Sequence, residues 1–157
     1  MRRNYPEKPD KVYFMGTCLA DMLYAEAGMA GIRLLEREGV KVIYPRDQTC
    51  CGQPAFNSGF QEEALEVALH QINCFPKAYP IVVPSGSCGA MMVRHYPELF
   101  EGHPLEQKAI GFSSRIFELS EFLNHVLKIS LKDRGVMVKV TWHTSCHAKR
   151  ELGLGDE

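Results

Sequence analysis

Short apolar runs alternate with longer stretches of helical period along this chain. Residues 11–16 (KVYFMG), 40–45 (VKVIYP), 79–84 (YPIVVP) and 136–142 (VMVKVTW) are rich in β-branched and aromatic types and read as strands. Between the first two, Leu23, Ala27, Ala30 and Leu34 recur at spacings of three and four, predicting an amphipathic helix over 21–38 with Gly39 as its stop. Residues 61–75 repeat the pattern, with Ala64, Ala68 and Ile72 on one face, Leu65 and Leu69 beside them, and Pro76 as terminator. A third helix is expected from the small-residue loop 85–89 (SGSCG) to about Leu99. After a polar connector (101–107), a fourth is expected over 114–127, where Ile116, Leu119, Phe122, Leu123 and Val126 recur. Strands separated by helices of this length predict βαβ units and an α/β fold, a parallel β-sheet flanked by helices. Residues 1–10, with two prolines and mixed charge, read as an extended arm.

Composition narrows the classes. The 157 residues allow about one domain. Apolar types at 45% and charged types at 24% match a folded globular chain rather than a disordered one. Lysine and arginine (18) nearly balance aspartate and glutamate (19), so the formal charge is −1 and there is no basic surplus for phosphate neutralisation. Nucleic acid is therefore not the expected partner. No apolar run approaches the roughly 20 residues of a membrane span. The first ten residues carry charge without an apolar segment behind them, so no signal peptide is expected and the cytoplasm is the expected compartment.

Six cysteines change the picture: Cys18, Cys50, Cys51, Cys74, Cys88 and Cys146. In a reducing compartment clustered cysteines bind metal or do redox chemistry more often than they form disulfides. On the strand assignment above, Cys18 follows the first strand, Cys50–Cys51 the second, Cys88 the third and Cys146 the fourth. In a parallel sheet those loops share the carboxyl edge, where ligand sites form. Cys74 sits in a predicted helix beside Ile72 and Phe75 and reads as a small apolar filler. Cys50 and Cys51 cannot close a relaxed disulfide with each other, because a bridge needs Cα atoms roughly 4.4–6.8 Å apart and neighbours lie about 3.8 Å apart. Adjacent thiolates can instead ligate neighbouring metal ions, and soft sulfur selects zinc, Cu(I) or an iron–sulfur cluster. No C-x-x-C of the zinc-knuckle type occurs.

These residues resemble a known family. Cys18, then Cys-Cys-Gly-Gln-Pro from Cys50, then Ser-Gly-Ser-Cys ending at Cys88, is similar to the motif of the cysteine-rich CCG-domain proteins. They include the cysteine-rich component of heterodisulfide reductase, the iron–sulfur component of glycolate oxidase and lactate-utilization proteins. The stretches 17–21 (TCLAD), 48–59 (QTCCGQPAFNSG), 83–90 (VPSGSCGA), 96–100 (YPELF), 118–123 (ELSEFL) and 140–147 (VTWHTSCH) resemble the lactate-utilization branch most. The family carries the motif in tandem, so the resemblance implies an arm over 1–10, a first domain over 11–135, and the start of a second unit over 136–157. It further implies cofactor binding by Cys18, Cys50, Cys51, Cys88 and Cys146, the first four as metal ligands.

The implied cofactor is an iron–sulfur cluster of [4Fe–4S] type, with zinc as the alternative. In heterodisulfide reductase each full motif ends in C-x-x-C; here Ser85 stands at the first position of that pair, and a serine oxygen is a harder, weaker ligand for iron. Four thiolates still suffice for tetrahedral zinc or a Cys₄ cluster. The implied role is electron transfer, as one component of the oxidation of L-lactate to pyruvate, alongside other iron–sulfur and accessory subunits rather than as a self-sufficient enzyme. Related readings are a glycolate oxidase or heterodisulfide reductase-like electron-transfer subunit. A zinc-held scaffold docking partner subunits is a different class, and a thiol enzyme using Cys88 at a helix N-terminus is another. His143 and His147 flank Cys146 and are possible ligands or hydrogen-bond donors to sulfur. His70, His95, His103 and His125 read as structural. Arg46, Arg94 and Arg115 are the candidate clamps for a substrate carboxylate.

Overall fold

The computed structural model describes residues 3–130, 135, 137–139, 141, 143 and 145–154. Four short strands, β1 (Lys11–Phe14), β2 (Lys41–Ile43), β3 (Ile81–Val83) and β4 (Ile116–Glu118), form one sheet in the order β2-β1-β3-β4. Every pairing is parallel, with Val12 opposite Val42, Tyr13 opposite Ile81 and Ile81 opposite Ile116. The expected α/β architecture with a parallel sheet is therefore present.

The helices are α1 (Cys18–Met22), α2 (Ala25–Arg37), α3 (Gln53–Asn57), α4 (Gln61–Cys74), α5 (Gly86–Ala90), α6 (Tyr96–Leu99), α7 (Glu106–Ser113), α8 (Leu119–Glu121) and α9 (Cys146–Arg150). Two π-helical turns, Met91–His95 and Phe122–Val126, continue α5 and α8. No described helix is long and apolar enough to cross a membrane.

Strand periodicity sorts the core into two layers. Val12, Phe14, Val82 and Phe117 face one side, where Leu35, Phe122, Leu123 and Val126 cover them. Tyr13, Met15, Ile81, Val83 and Ile116 face the other, against Ala68, Ile72, Met91, Met92, Tyr96 and Phe112. Both faces are thus sealed by helices, as a parallel sheet requires.

Two expectations are corrected. The fourth strand is Ile116–Glu118, inside the stretch expected to be helical. An Ile-Phe pair fits either period, and pairing with the fully buried β3 decides for strand. The helix restarts at once, because Glu118 caps α8 reciprocally with Glu121. Of the strand expected over 136–142, residues 137–139 and 141 belong to no element, and 136, 140 and 142 lie outside the described residues. The other correction concerns the first helix, which is two. The second of these, α2, buries Gly28, Gly31 and Leu35, while Leu23, Ala27 and Ala30 are exposed. The glycines let α2 lie close to the sheet, a face that hydrophobicity does not mark. Helix α7 begins within the expected polar connector and buries Ala109, Phe112 and Ser113.

A Cβ at Gly31 would stand 3.0 Å from Leu119 Cδ2 and 3.3 Å from Phe14 Cζ. Gly31→Ala gains up to about 1 kcal/mol of helix propensity but overpacks this contact at a cost of about 1–3 kcal/mol. A net loss near 1 kcal/mol, read from chemical denaturation midpoints, is the expected result.

The arm is tied down at its start. Arg3 Nη1 donates to both carboxylate oxygens of Glu121 at 2.9 Å, its Nη2 to the Ile116 carbonyl, and its guanidinium lies 4.9 Å from the Phe117 ring centroid.

Candidate functional site

The strand order reverses between β1 and β3, since the chain moves outward from β1 to β2 and then crosses back to β3. Such a reversal opens a crevice at the carboxyl edge of the sheet. Cys18 begins α1 just after β1, Cys50 and Cys51 lie in the loop after β2, and Cys88 lies in α5 just after β3. Three loops thus carry four cysteines to the same crevice.

Local chemistry holds each loop in place. Gly16 lets β1 end against Tyr44: a Cβ there would collide with the Tyr44 hydroxyl oxygen. Thr17 adopts φ 56° and ψ 149°, a region nearly reserved for glycine, while its hydroxyl accepts from the Ala20 N–H. A β-branched residue in that conformation costs on the order of 1–3 kcal/mol, and this strained turn sets Cys18. Gln48 staples two loops: its Oε1 accepts from the Gly16 N–H at 2.9 Å, and its Nε2 donates to the Pro45 and Phe14 carbonyls. Gln71, wholly buried, accepts from the Thr49 N–H at 2.9 Å. Gly52, at φ 83°, turns the chain sharply after Cys51, and Gln53 Nε2 donates to the Ser87 carbonyl across to the third loop.

Tyr96 joins the core to the site. Its ring is completely buried, and its hydroxyl donates to the Cys51 carbonyl at 3.0 Å. Tyr96→Phe leaves that carbonyl short of a partner and is expected to lower stability by about 1–3 kcal/mol, measurable in equilibrium unfolding.

The four thiols interact directly. Cys18 Sγ and Cys50 Sγ lie 3.8 Å apart. Cys51, 2% exposed, lies between Cys50 and Cys88 and acts on the ionisation of both. Hydrogen bonding from Cys51 lowers Cys50 to about 5, against the opposing effect of burial and with help from the Gly52 and Cys51 N–H groups and the Cys18 thiol. Cys88 is lowered to about 7, first by the Cys51 thiol and then by the Ser85 and Ser87 hydroxyls, again against burial. Cys18 is raised by burial and by the neighbouring Cys50. Cys51 is raised because it donates to both neighbours and is buried. Cys50 and Cys88 are thus the thiols that give up a proton most readily, Cys18 and Cys51 the ones that keep it, and metal binding would displace the protons that remain.

This donor set is entirely sulfur and suits a thiolate-held group. Zinc–sulfur bonds of about 2.3 Å put tetrahedral sulfurs about 3.8 Å apart. The Cys18–Cys50 pair has that separation. Among the described residues, however, no three His, Cys, Asp or Glu side chains gather about a single ion position. Ser85 N-caps α5, its Oγ accepting from the Cys88 N–H at 3.4 Å.

The remaining candidates lie elsewhere. Cys146 is exposed at the start of α9, outside the hydrogen-bonded thiol group. Its segment does dock on α5: a Cβ at Gly86 would stand 2.7 Å from Ala148 Cβ, and Arg94 Nε donates to the Glu151 carbonyl at 2.8 Å. Cys74 is half-buried and interacts with the Asp47 carbonyl at 3.4 Å and with His70 Nε2 at 3.5 Å. His95 bridges Glu98 and Glu151, His147 lies 3.7 Å from Glu151, and His125 stacks on Tyr5. His103 Nδ1 accepts from the Leu105 N–H, and His143 is exposed. Arg115 donates to the backbone carbonyls of Phe75, Lys77 and Tyr79, which commits it to the chain rather than to a substrate carboxylate. Arg46 is exposed. Sequence reasoning passed over Thr17, Gln48, Gln53, Gln71 and Tyr96. The only signal for Gln48 and Gln53 was their place on either side of Cys-Cys-Gly.

An open parallel α/β sheet with a cluster of thiols at its switch point defines a cysteine-rich α/β domain. Residues 12–93 match the family described as CCG, cysteine-rich domain, and the chain belongs to it. It is similar to lactate utilization protein A of Geobacillus kaustophilus, 45% identical over 147 residues, covering 93% of this chain and 61% of that protein. Lactate utilization protein A of Halalkalibacterium halodurans is 44% identical over 144 residues, 91% of this chain and 59% of the relative. That of Shouchella clausii is 46% identical over 139 residues, 87% and 57% of the respective chains. The chain spans about three-fifths of the length of these curated relatives. No solved structure is significantly similar to it.

Proposed function

We propose that this chain holds an iron–sulfur cluster through Cys18, Cys50, Cys51 and Cys88 and passes electrons as one component of a lactate-oxidising system. The observation that carries the reading is the meeting of four cysteines from three separate loops at one crevice. A bound cluster supplies one-electron exchange. The chain's own residues supply the rest. Cys50 and Cys88 are the thiols most readily ionised, the buried Cys51 lies between them, and the Ser85 and Ser87 hydroxyls help to lower Cys88, an influence of the kind that tunes a cluster's potential. Gln48, Gln53 and Tyr96 hold the three loops in register, so the donors are preset before any ligand arrives.

The names of the relatives support lactate utilization as the process. Oxidation of L-lactate to pyruvate, the accessory iron–sulfur subunits that complete it and a cytoplasmic setting belong to the same proposal. Arg115 is occupied by backbone carbonyls, which favours a role in electron transfer over direct turnover of a carboxylate substrate. A zinc-held scaffold is the competing reading, favoured by the Cys18–Cys50 spacing alone.

Purification without oxygen, followed by assay of iron, acid-labile sulfide and zinc, decides between them. Iron and sulfide in comparable amounts, with visible absorption, are the expected result. Zinc alone would replace the electron-transfer reading with the scaffold. A folded chain holding none of the three would remove both.

A further inference from the structure

Beside the thiols, among the described residues, lies an exposed apolar corner. Leu19, Met22, Leu23 and Tyr24, at and just after α1, are 61, 79, 67 and 65% exposed; Met29 on α2 and Tyr44 after β2 are 47 and 39% exposed. These six large side chains, each leaving on the order of 100 Å² bare, expose about 600 Å² together. A single chain's largest apolar patch runs about 300–600 Å² and is often functional, so this one sits at the top of that range.

The corner has relief of both signs. Met22, Leu23 and Tyr24 project at the turn between α1 and α2. Next to them is a hollow of about 320 Å³ lined by Phe14, Ala20, Ala25, Gly28, Met29 and Ile32, with Asp21 and Tyr44 at its edge. Gly28 leaves the floor open: a Cβ there would meet only Ala20 Cβ, at 3.9 Å. A patch bearing apolar knobs beside an apolar hole can pair with itself across a twofold axis, each copy's knob entering the other's hole. A stable interface buries about 800 Å² on each partner. The apolar corner supplies most of that, and its polar margin at Asp21, Gln48 and Thr49 supplies the rim.

We propose that the α1–α2 corner is a self-complementary interface through which two copies of this chain associate. Met22 and Tyr44 line the same depression as Cys18 and Cys50. Pairing therefore sets the thiol crevices of the two copies next to the shared interface and shields them from water. The interface involves no metal and stands apart from the cluster reading.

Sedimentation equilibrium of the whole chain, reduced and metal-free, over a range of micromolar concentrations tests it. The expected species has twice the 17.7 kDa chain mass. Met22→Asp or Leu23→Asp, on the knob, and Ala25→Arg, in the hole, are each expected to weaken association by at least about 100-fold. All three positions are exposed, so circular dichroism of the variants is expected to match the parent. A monomer at every concentration, or a dimer that survives both the knob and the hole substitutions, overturns the proposal. Metal content assayed on the same samples reports on the cluster independently.

Discussion

Cys51→Ala is expected to lower bound iron and sulfide by at least about tenfold while leaving the chain folded. Cys51 is the buried centre of the thiol group, between Cys50 and Cys88, and it is the largest influence on the ionisation of both. Its removal separates those two donors and takes away the hydrogen bond that most lowers both. The loop itself is held by backbone contacts that alanine keeps, notably the Tyr96 hydroxyl on the residue-51 carbonyl. Cys74→Ala is the matched control, since Cys74 interacts with Asp47 and His70 instead of the other thiols. Cys146→Ala is also expected to retain metal, because Cys146 is exposed and lies outside the group. Iron and sulfide analysis of the three anaerobically purified variants gives the answer, and full retention in Cys51→Ala would disprove the assignment.

Arg3→Ala is expected to destabilise the fold by about 3 kcal/mol near neutral pH, with little effect in acid. The Glu121 carboxylate has no exposed surface, and the Arg3 guanidinium is the cation that pairs with it. Burial raises Glu121 above the usual carboxyl value, while Arg3, the Glu118 N–H and the Tyr5 hydroxyl pull it down. The sign follows from that balance. A carboxyl raised in the folded state contributes most stability below its unfolded value and loses it as pH climbs through the folded one. Removing Arg3 raises the folded value further, so the variant's deficit opens as Glu121 ionises. Urea unfolding at about pH 4 and about pH 8 should show a small difference at the first and the full loss at the second. An equal deficit at both would mean that Arg3 acts only by packing on Phe117. Arg3, in the stretch that reads from sequence as an extended arm, is thereby part of the structural frame.

Much of the site was legible because its chemistry is concentrated in one residue type. Cysteine after each of three strand-like runs, combined with the rule that parallel βα loops share an edge, is enough to bring Cys18, Cys50, Cys51 and Cys88 together. The supporting residues were not legible. Gln48, Gln53 and Tyr96 act through single hydrogen bonds to backbone groups far along the chain, and such partners have no local signature. Cys146 was placed at the same edge by a strand expected over 136–142, of which residues 137–139 and 141 belong to no element; its own segment packs against α5, the helix that carries Cys88.

The linear order of apolar and polar residues determined that this chain builds βαβ units, which face of α4 turns inward, and that Cys18, Cys50–Cys51 and Cys88 each follow a strand. Those properties depend on near neighbours and on a fixed side-chain period. Tertiary structure alone decided that residues 116–118 become the fourth strand, that α2 buries its glycines rather than its alanines, and that Cys51 rather than Cys50 is the buried centre of the group. Each of these is a choice between locally near-equal conformations or faces. It is settled by the energy of pairing with β3, packing on Phe14 or bonding to Tyr96, partners between 17 and 45 positions away.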